Sequence, residues 1–103
     1  MLIILANIAT TTLFLFAVHE AEFHDLNTAR FIATIQCESG FKENAISPGG
    51  ISVGAVQIHL AAHPDITRKE AMDGFWSIAW AAEQWSLGKE NEWDCYTMKY
   101  GYT

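Results

Sequence analysis

A glutamate at the end of an apolar run is the residue in this chain best placed to do chemistry. Glu38 is followed at once by Ser39-Gly40, and the helix-spaced apolar residues before it are Phe31, Ile32 and Ile35. A helix is therefore predicted to end at this point. A carboxylate gains nothing from the helix dipole at a C-terminus, and shielding by apolar groups would raise its pKa and suit it to general acid catalysis. The alternative is an ordinary exposed glutamate near a helix end.

The elements that must position this residue are predicted to be mainly helical. Asn27 or Thr28 can cap the helix before Glu38, and Gly40 suits its C-cap region. A loop with a turn at Ser47-Pro48-Gly49-Gly50 follows, and then a short buried segment over 53–60 that periodicity assigns to neither helix nor strand.

Two further helices are predicted in the second half of the chain. Thr67 and Glu70 have the capping-box spacing, which predicts a short helix over 68–72. The longest amphipathic run covers 75–87 and ends at Gly88, and its shared apolar face consists of Phe75, Ile78, Ala79, Ala82 and Trp85. On an adjoining face, Trp76 and Trp80 are interpreted as core residues rather than as a platform for a ligand.

Composition limits the class of protein. The 103 residues are 50% hydrophobic and 13% aromatic, which favours one small packed domain. The net charge of -6, with few and unclustered Lys and Arg, argues against nucleic-acid binding and against tight binding to anionic lipids. The chain has no CxxC, HExxH or His/Cys cluster, so neither a metal nor another cofactor is expected.

The two cysteines, Cys37 and Cys95, permit a single intramolecular disulfide. Such a bond would close a loop of about 60 residues, for which the chain-entropy model gives roughly 4 kcal/mol. It would also tie the C-terminal tail to the residue before Glu38. Two buried free thiols are the alternative.

The N-terminal run over residues 1–18 has no charged side chain from Leu2 to Val18. Its length is near the lower limit for crossing a bilayer and also suits a secretory signal. An uncleaved membrane anchor is favoured over a cleaved signal peptide and over a buried helix, and residues 19–103 form the folded domain. Either of the first two interpretations places the domain in a secreted, periplasmic or membrane-anchored extracytoplasmic location.

The order of the motifs resembles the lysozyme-like superfamily, in particular the soluble lytic transglycosylase type of domain. The resemblance covers roughly 29–96, and the matching residues are Glu38, Ser39, Gly40, Phe41, Asn44, Ala45, Ser47, Gly54, Gln57 and Ile58. It implies a mainly α, lysozyme-like α+β fold built around a catalytic glutamate.

The resemblance also implies a function and a role for each matched residue. Glu38 would act as general acid and then base on the β-1,4 bond between MurNAc and GlcNAc in peptidoglycan. The sugar's own 6-hydroxyl would attack and give a 1,6-anhydro product, so no second carboxylate is needed. Ser39, Gly54 and Gln57 would contact or shape the substrate site. Gln57 suits this role because its amide can both donate hydrogen bonds to sugar groups and accept them. A helix-end serine and a loop-bracing amide are the structural alternatives. The protein is expected to be a monomer whose partners are glycan strands.

Departures from the family pattern leave alternatives open. The family's Ala-Tyr-Asn segment is absent, and Tyr96 is the candidate for its phenol, with a purely structural aromatic as the alternative. A hydrolytic lysozyme would need a second acid roughly 5–9.5 Å from the first, and Glu43 and Asp65 are candidates only because they lie near the motif. His59 and His63 are interpreted as structural or surface groups. A non-catalytic peptidoglycan-binding domain remains the other function class.

Overall fold

A computed structural model describes residues 2–101 of the chain, and it describes side chains from residue 10 onward. The described part is mainly helical, as predicted, with helices α1 (Leu2–Phe23), α2 (Thr28–Ser39), α3 (Arg68–Ala71), α4 (Gly74–Ser86) and α5 (Asp94–Tyr100). The segment that periodicity left open is an antiparallel hairpin of β1 (Ser52–Val53) and β2 (Ile58–His59), in which Val53 pairs with Ile58. Single 3-10 turns cover Pro48–Gly50, Leu60–Ala62 and Glu90–Glu92.

Local capping explains where the helices begin and end. The Asn27 side chain accepts a hydrogen bond from the backbone N–H of Arg30 at 3.1 Å, so Asn27 is the N-cap of α2. Gly40 ends the same helix in the left-handed conformation, at φ 65°. The predicted capping box before α3 is present, with Thr67 and Glu70 each bonded to the other's backbone.

Helix α1 packs into the domain over the half whose side chains are described. Leu13, Ala17 and Ala21 are buried, and α1 lies against both α2 and α4. The helix continues past residue 18, the predicted end of the apolar segment, to Phe23. Among the described residues, no helix is long and apolar enough to cross a membrane. The predicted anchor or signal covers 1–18, and residues 1–9 of that segment have side chains outside this description.

The core lies between α1, α2, α4 and the hairpin. Ile78, Ala82 and Trp85 of α4 are buried, as their spacing predicts, and Trp85 meets Phe31 of α2 edge to face at 5.0 Å. The prediction that Phe75 shares this buried face is wrong, because its side chain is 48% exposed. Phe75 lies at the start of α4, where its ring meets that of Phe16 of α1 at 5.1 Å.

Candidate functional site

Glu38 lies in the last turn of α2, where the predicted helix end places it. Its carboxyl is half-buried, and its Oε2 accepts a hydrogen bond from the backbone N–H of Cys95 at 3.2 Å. Cys95 belongs to α5 and follows Glu38 by 57 positions in the sequence. The acid is therefore held from two sides, by its own helix and by the first turn of α5.

Burial raises the pKa of the Glu38 carboxyl above its ordinary value of 4.5. The hydrogen bond from Cys95 opposes this shift because it stabilises the ionised form, whereas the negative charge of Asp94 raises the pKa further. Burial is the largest of the three influences. A carboxyl in this setting holds its proton to higher pH than a solvated glutamate does, which suits it to donate that proton to a leaving group.

The disulfide predicted from the single cysteine pair is present. Cys37 and Cys95 are bonded, with their Cα atoms 6.1 Å apart and a sequence separation of 58. The bond joins the residue before Glu38 to the residue whose N–H contacts the Glu38 carboxyl. It therefore fixes the two elements that hold the acid relative to each other. Disulfides of this kind persist in oxidising compartments.

One face of the Glu38 carboxyl opens into a cleft of about 180 Å³, called here the Glu38 cleft. Its lining combines carboxylates, imidazoles, an amide and indoles, from Glu38, Ser52, Gln57, Ile58, His59, His63, Trp80, Glu92, Trp93 and Asp94. The hairpin supplies one part of this lining, and the turn leading into α5 supplies another. A concave site with a few convergent polar groups is the usual form of a small-ligand site.

Gln57 both lines the Glu38 cleft and braces its floor. Its side-chain N–H group donates to the carbonyl of Ala45 at 3.1 Å and to that of Gly54 at 2.9 Å. Both amide hydrogens are thus directed into the loop, so the orientation of the side-chain oxygen is fixed. The residue is also held at φ 55°, an uncommon backbone conformation for a non-glycine residue, which is found more often at functional sites.

Ser39 is next to the acid in sequence but braces backbone. Its hydroxyl donates to the carbonyl of Ala55 at 2.5 Å and accepts from the N–H of Phe41 at 3.1 Å. Both contacts tie the end of α2 to the hairpin loop. Within the described part of the chain, Ser39 does not line the Glu38 cleft.

Gly54 allows the hairpin to approach another stretch of backbone. It has φ 89°, and a Cβ built there would lie 1.9 Å from the carbonyl oxygen of Ala71 at the end of α3. The hairpin can therefore pack against α3 only with a glycine at this position. Of the two close approaches that the sequence allows at Gly54, backbone or sugar, the structure has the backbone one.

We expect Gly54→Ala to destabilise the fold more than Gly88→Ala. Gly88 has a similar φ of 81° but open space around its Cβ position. Both substitutions incur about 1–2 kcal/mol of left-handed strain, whereas only the first also forces a steric clash, worth roughly 1–3 kcal/mol more. Urea unfolding of the two variants measures the difference directly. Equal midpoints would contradict the assigned close approach.

Tyr96 lies in a different groove from the acid. Its hydroxyl is 3.4 Å from a guanidinium nitrogen of Arg30, which donates to it, and its ring meets Trp85 edge to face at 5.0 Å. That groove also contains Leu26, Asn27 and Glu90. The structure does not bring Tyr96 to the Glu38 cleft.

Neither acid near the motif in sequence lines the Glu38 cleft. The Glu43 carboxylate accepts the backbone N–H of Gly74 at 2.9 Å and so caps α4 from a distance. Asp65 lies outside the described lining. The carboxylates that do share the cleft with Glu38 are Glu92 and Asp94.

Sequence reasoning missed the wall formed by aromatic residues and by the turn before α5. The ring of Trp80 lies against His63 at 5.1 Å and against Trp93 at 5.8 Å. The buried Trp93 donates its indole N–H to the carbonyl of Val56 at 2.9 Å, which fixes the turn to the hairpin. Only the disulfide, which predicts that the tail returns to α2, could have indicated that this turn lies beside Glu38.

The arrangement can donate and recover a proton at one carboxyl and hold a polar ligand beside it. Among the described residues, no three His, Cys, Asp or Glu side chains are grouped as a metal site requires. The interpretation depends on the geometry of the Glu38 cleft and on the sequence motif, since no family model, no curated protein and no solved structure matches the chain.

Proposed function

We propose that the protein is a peptidoglycan-cleaving muramidase of the lytic transglycosylase type, with Glu38 as its general acid and base. The observation that carries the proposal is the setting of Glu38, whose half-buried carboxyl has a raised pKa and borders a cleft. Gln57, a second residue of the motif, has a polar side chain suited to sugar binding and lines the same cleft. Glu38 and Gln57, which come from different parts of the sequence motif, thus lie at one cleft, and this supports the motif as a functional signature.

In the proposed reaction, Glu38 first gives its proton to the glycosidic oxygen between MurNAc and GlcNAc. The bond between C1 of MurNAc and this oxygen breaks, and its electron pair stays with the oxygen, which leaves with GlcNAc. The 6-hydroxyl of the same MurNAc then attacks C1 and returns a proton to Glu38, which closes a 1,6-anhydro ring. Only one carboxyl changes its protonation state, and its raised pKa keeps it protonated, and so able to donate, to higher pH than a solvated carboxyl.

The proposed substrate fits the other groups of the Glu38 cleft. The backbone N–H of Cys95 keeps one carboxyl oxygen engaged, so the second oxygen is the one available to carry the proton. The amide of Gln57, already oriented by Ala45 and Gly54, presents its oxygen as an acceptor for a sugar hydroxyl or acetamido N–H. A rigid acceptor costs little entropy on binding.

We infer that the protein works outside the cytoplasm, where its substrate lies. The Cys37–Cys95 disulfide supports this location, because such bonds are rare in reducing compartments. N-terminal sequencing of exported protein would show whether residues 1–18 are removed as a signal or retained as part of α1, whose Leu13 and Ala17 are buried in the domain.

Release of soluble glycan fragments from purified sacculi tests the proposed function. The oxidised protein is expected to release fragments and to cosediment with intact sacculi before they are digested. Cosedimentation with no release would overturn the assignment of enzymatic activity and would favour a non-catalytic glycan-binding domain. Neither release nor cosedimentation would overturn the peptidoglycan assignment altogether.

A further inference from the structure

A second carboxylate is held beside Glu38 by two rigid anchors. Asp94 lies between Trp93, which is buried and bonded to the Val56 carbonyl, and Cys95, which is disulfide-bonded to α2. Its own side chain is exposed and lines the Glu38 cleft. The backbone that carries this carboxylate is therefore fixed on both sides, while the charge itself faces the space where a ligand would lie.

Asp94 and Glu38 differ in environment in the way that paired functional carboxyls do. Glu38 is half-buried, whereas Asp94 is exposed to solvent, and the charge of Asp94 is one cause of the raised Glu38 pKa. Two carboxyls that share a site and differ in burial tend to divide into a proton donor and an anion. Glu92, on the other side of Trp93, lines the cleft too but is not among the causes of the shift.

From this geometry we propose that Asp94 is a second catalytic carboxylate, which stays ionised and stabilises the positive charge that develops on the sugar ring. The inference rests on the proposed function. As the C1–O bond breaks, C1 and the ring oxygen share a positive charge until the 6-hydroxyl attacks. A fixed anion facing that charge lowers the barrier without itself gaining or losing a proton. The intramolecular attack is unchanged, so Asp94 forms no bond to the substrate.

Asp94→Asn is expected to lower kcat by about 10- to 100-fold. This is no more than the smallest losses found when one preorganised electrostatic group is removed from an active site, about 100-fold. KM should change little, since the anion acts mainly on the transition state. The alkaline limb of the pH–rate profile should move to lower pH, because removing the negative charge lowers the pKa of Glu38. Asp65→Asn is the matched control, because Asp65 is exposed and lies outside the lining of the cleft, and it should leave both kcat and the profile as in the wild type.

The profile must be interpreted with every titratable group that lines the cleft. Besides Glu38 and Asp94 these are His59, His63 and Glu92. Both variants retain the two histidines and Glu92, so a shift found in Asp94→Asn and absent from Asp65→Asn isolates Asp94. Unchanged kcat and profile in Asp94→Asn, or equal effects in both variants, would overturn the proposal.

A measurement that needs no activity separates this inference from the proposed function. NMR titration of the Glu38 side-chain carboxyl carbon should give a lower pKa in Asp94→Asn than in the wild type or in Asp65→Asn. If the wild type cleaves no glycan, the proposed function fails, and with it the catalytic role of Asp94. An unchanged Glu38 titration in a protein that does cleave would overturn the pairing of the two carboxyls alone.

Discussion

Replacing Glu38 with Gln is expected to reduce the release of fragments from purified peptidoglycan by at least about 10³-fold. A large loss is expected because, in the proposed mechanism, this carboxyl both gives and recovers the proton, and general acid–base groups contribute roughly 10²–10⁴-fold each. Gln is nearly isosteric and can still accept the N–H of Cys95, so the fold should be retained. Substantial activity in a folded Glu38→Gln protein would remove Glu38 from the mechanism.

The matched control for this variant is Glu43→Gln. Glu43 belongs to the same segment of the chain, but its carboxylate caps α4 rather than lining the Glu38 cleft. Its substitution is therefore expected to leave the rate of cleavage nearly unchanged. A comparable loss in both variants would indicate that the assay reports stability rather than chemistry.

The Glu38→Gln substitution is also expected to change the stability of the fold in a way that depends on pH, and the sign of that change can be worked out. Because the folded-state pKa of Glu38 is raised, the native protein binds more protons than the unfolded chain at pH values between the two pKa values. This group's contribution to the free energy of unfolding therefore falls as the pH rises through that window. Relative to the wild type, Glu38→Gln should gain thermal stability from acid to neutral pH, which calorimetry across that range measures.

Removing the disulfide is expected to have the largest effect on stability. The Cys37–Cys95 bond spans 58 residues of a 103-residue chain, and loop closure of that size is worth roughly 4 kcal/mol. For a domain of this length, the double variant Cys37→Ser/Cys95→Ser should therefore melt roughly 15–30 °C below the oxidised wild type. Circular dichroism at several temperatures measures this difference.

The same variant tests whether the disulfide also holds the catalytic geometry. Without it, α5 is no longer fixed to the end of α2, so the N–H of Cys95 and the carboxylate of Asp94 lose their defined positions beside Glu38. At a temperature where the variant is folded, we expect its activity to fall as well. A reducing agent should reproduce both losses in the wild type and change nothing in the double variant. Equal melting temperatures would contradict the structural role of the bond.

Local signals in the sequence predicted where helices begin and end, whereas contacts between residues distant in sequence determine which side chains surround Glu38. The end of α2 at Gly40 and the capping box of Thr67 and Glu70 follow from residues a few positions apart, and both are confirmed. The hairpin over 52–59 could not be assigned, because two-residue strands leave no period to read. Its shape depends instead on Gly54 meeting the backbone of α3.

The wall of the Glu38 cleft formed by Trp80, Trp93 and Asp94 had no local signature. The indole N–H of Trp93 finds its acceptor 37 residues away, and Asp94 approaches Glu38 only because the disulfide returns α5 to α2. Glu43, a candidate second acid only because it is near in sequence, caps another helix. The tertiary fold, rather than sequence spacing, therefore determines which carboxylates share the Glu38 cleft.

The central claim is that the Glu38 cleft cleaves the glycan by intramolecular attack, and mass spectrometry of the released fragments in ¹⁸O-labelled water tests it most directly. The account predicts 1,6-anhydro-MurNAc ends that carry no label, because the 6-hydroxyl rather than water attacks C1. Labelled reducing ends would contradict the transglycosylase mechanism and indicate a hydrolase. The absence of any new ends would contradict cleavage itself.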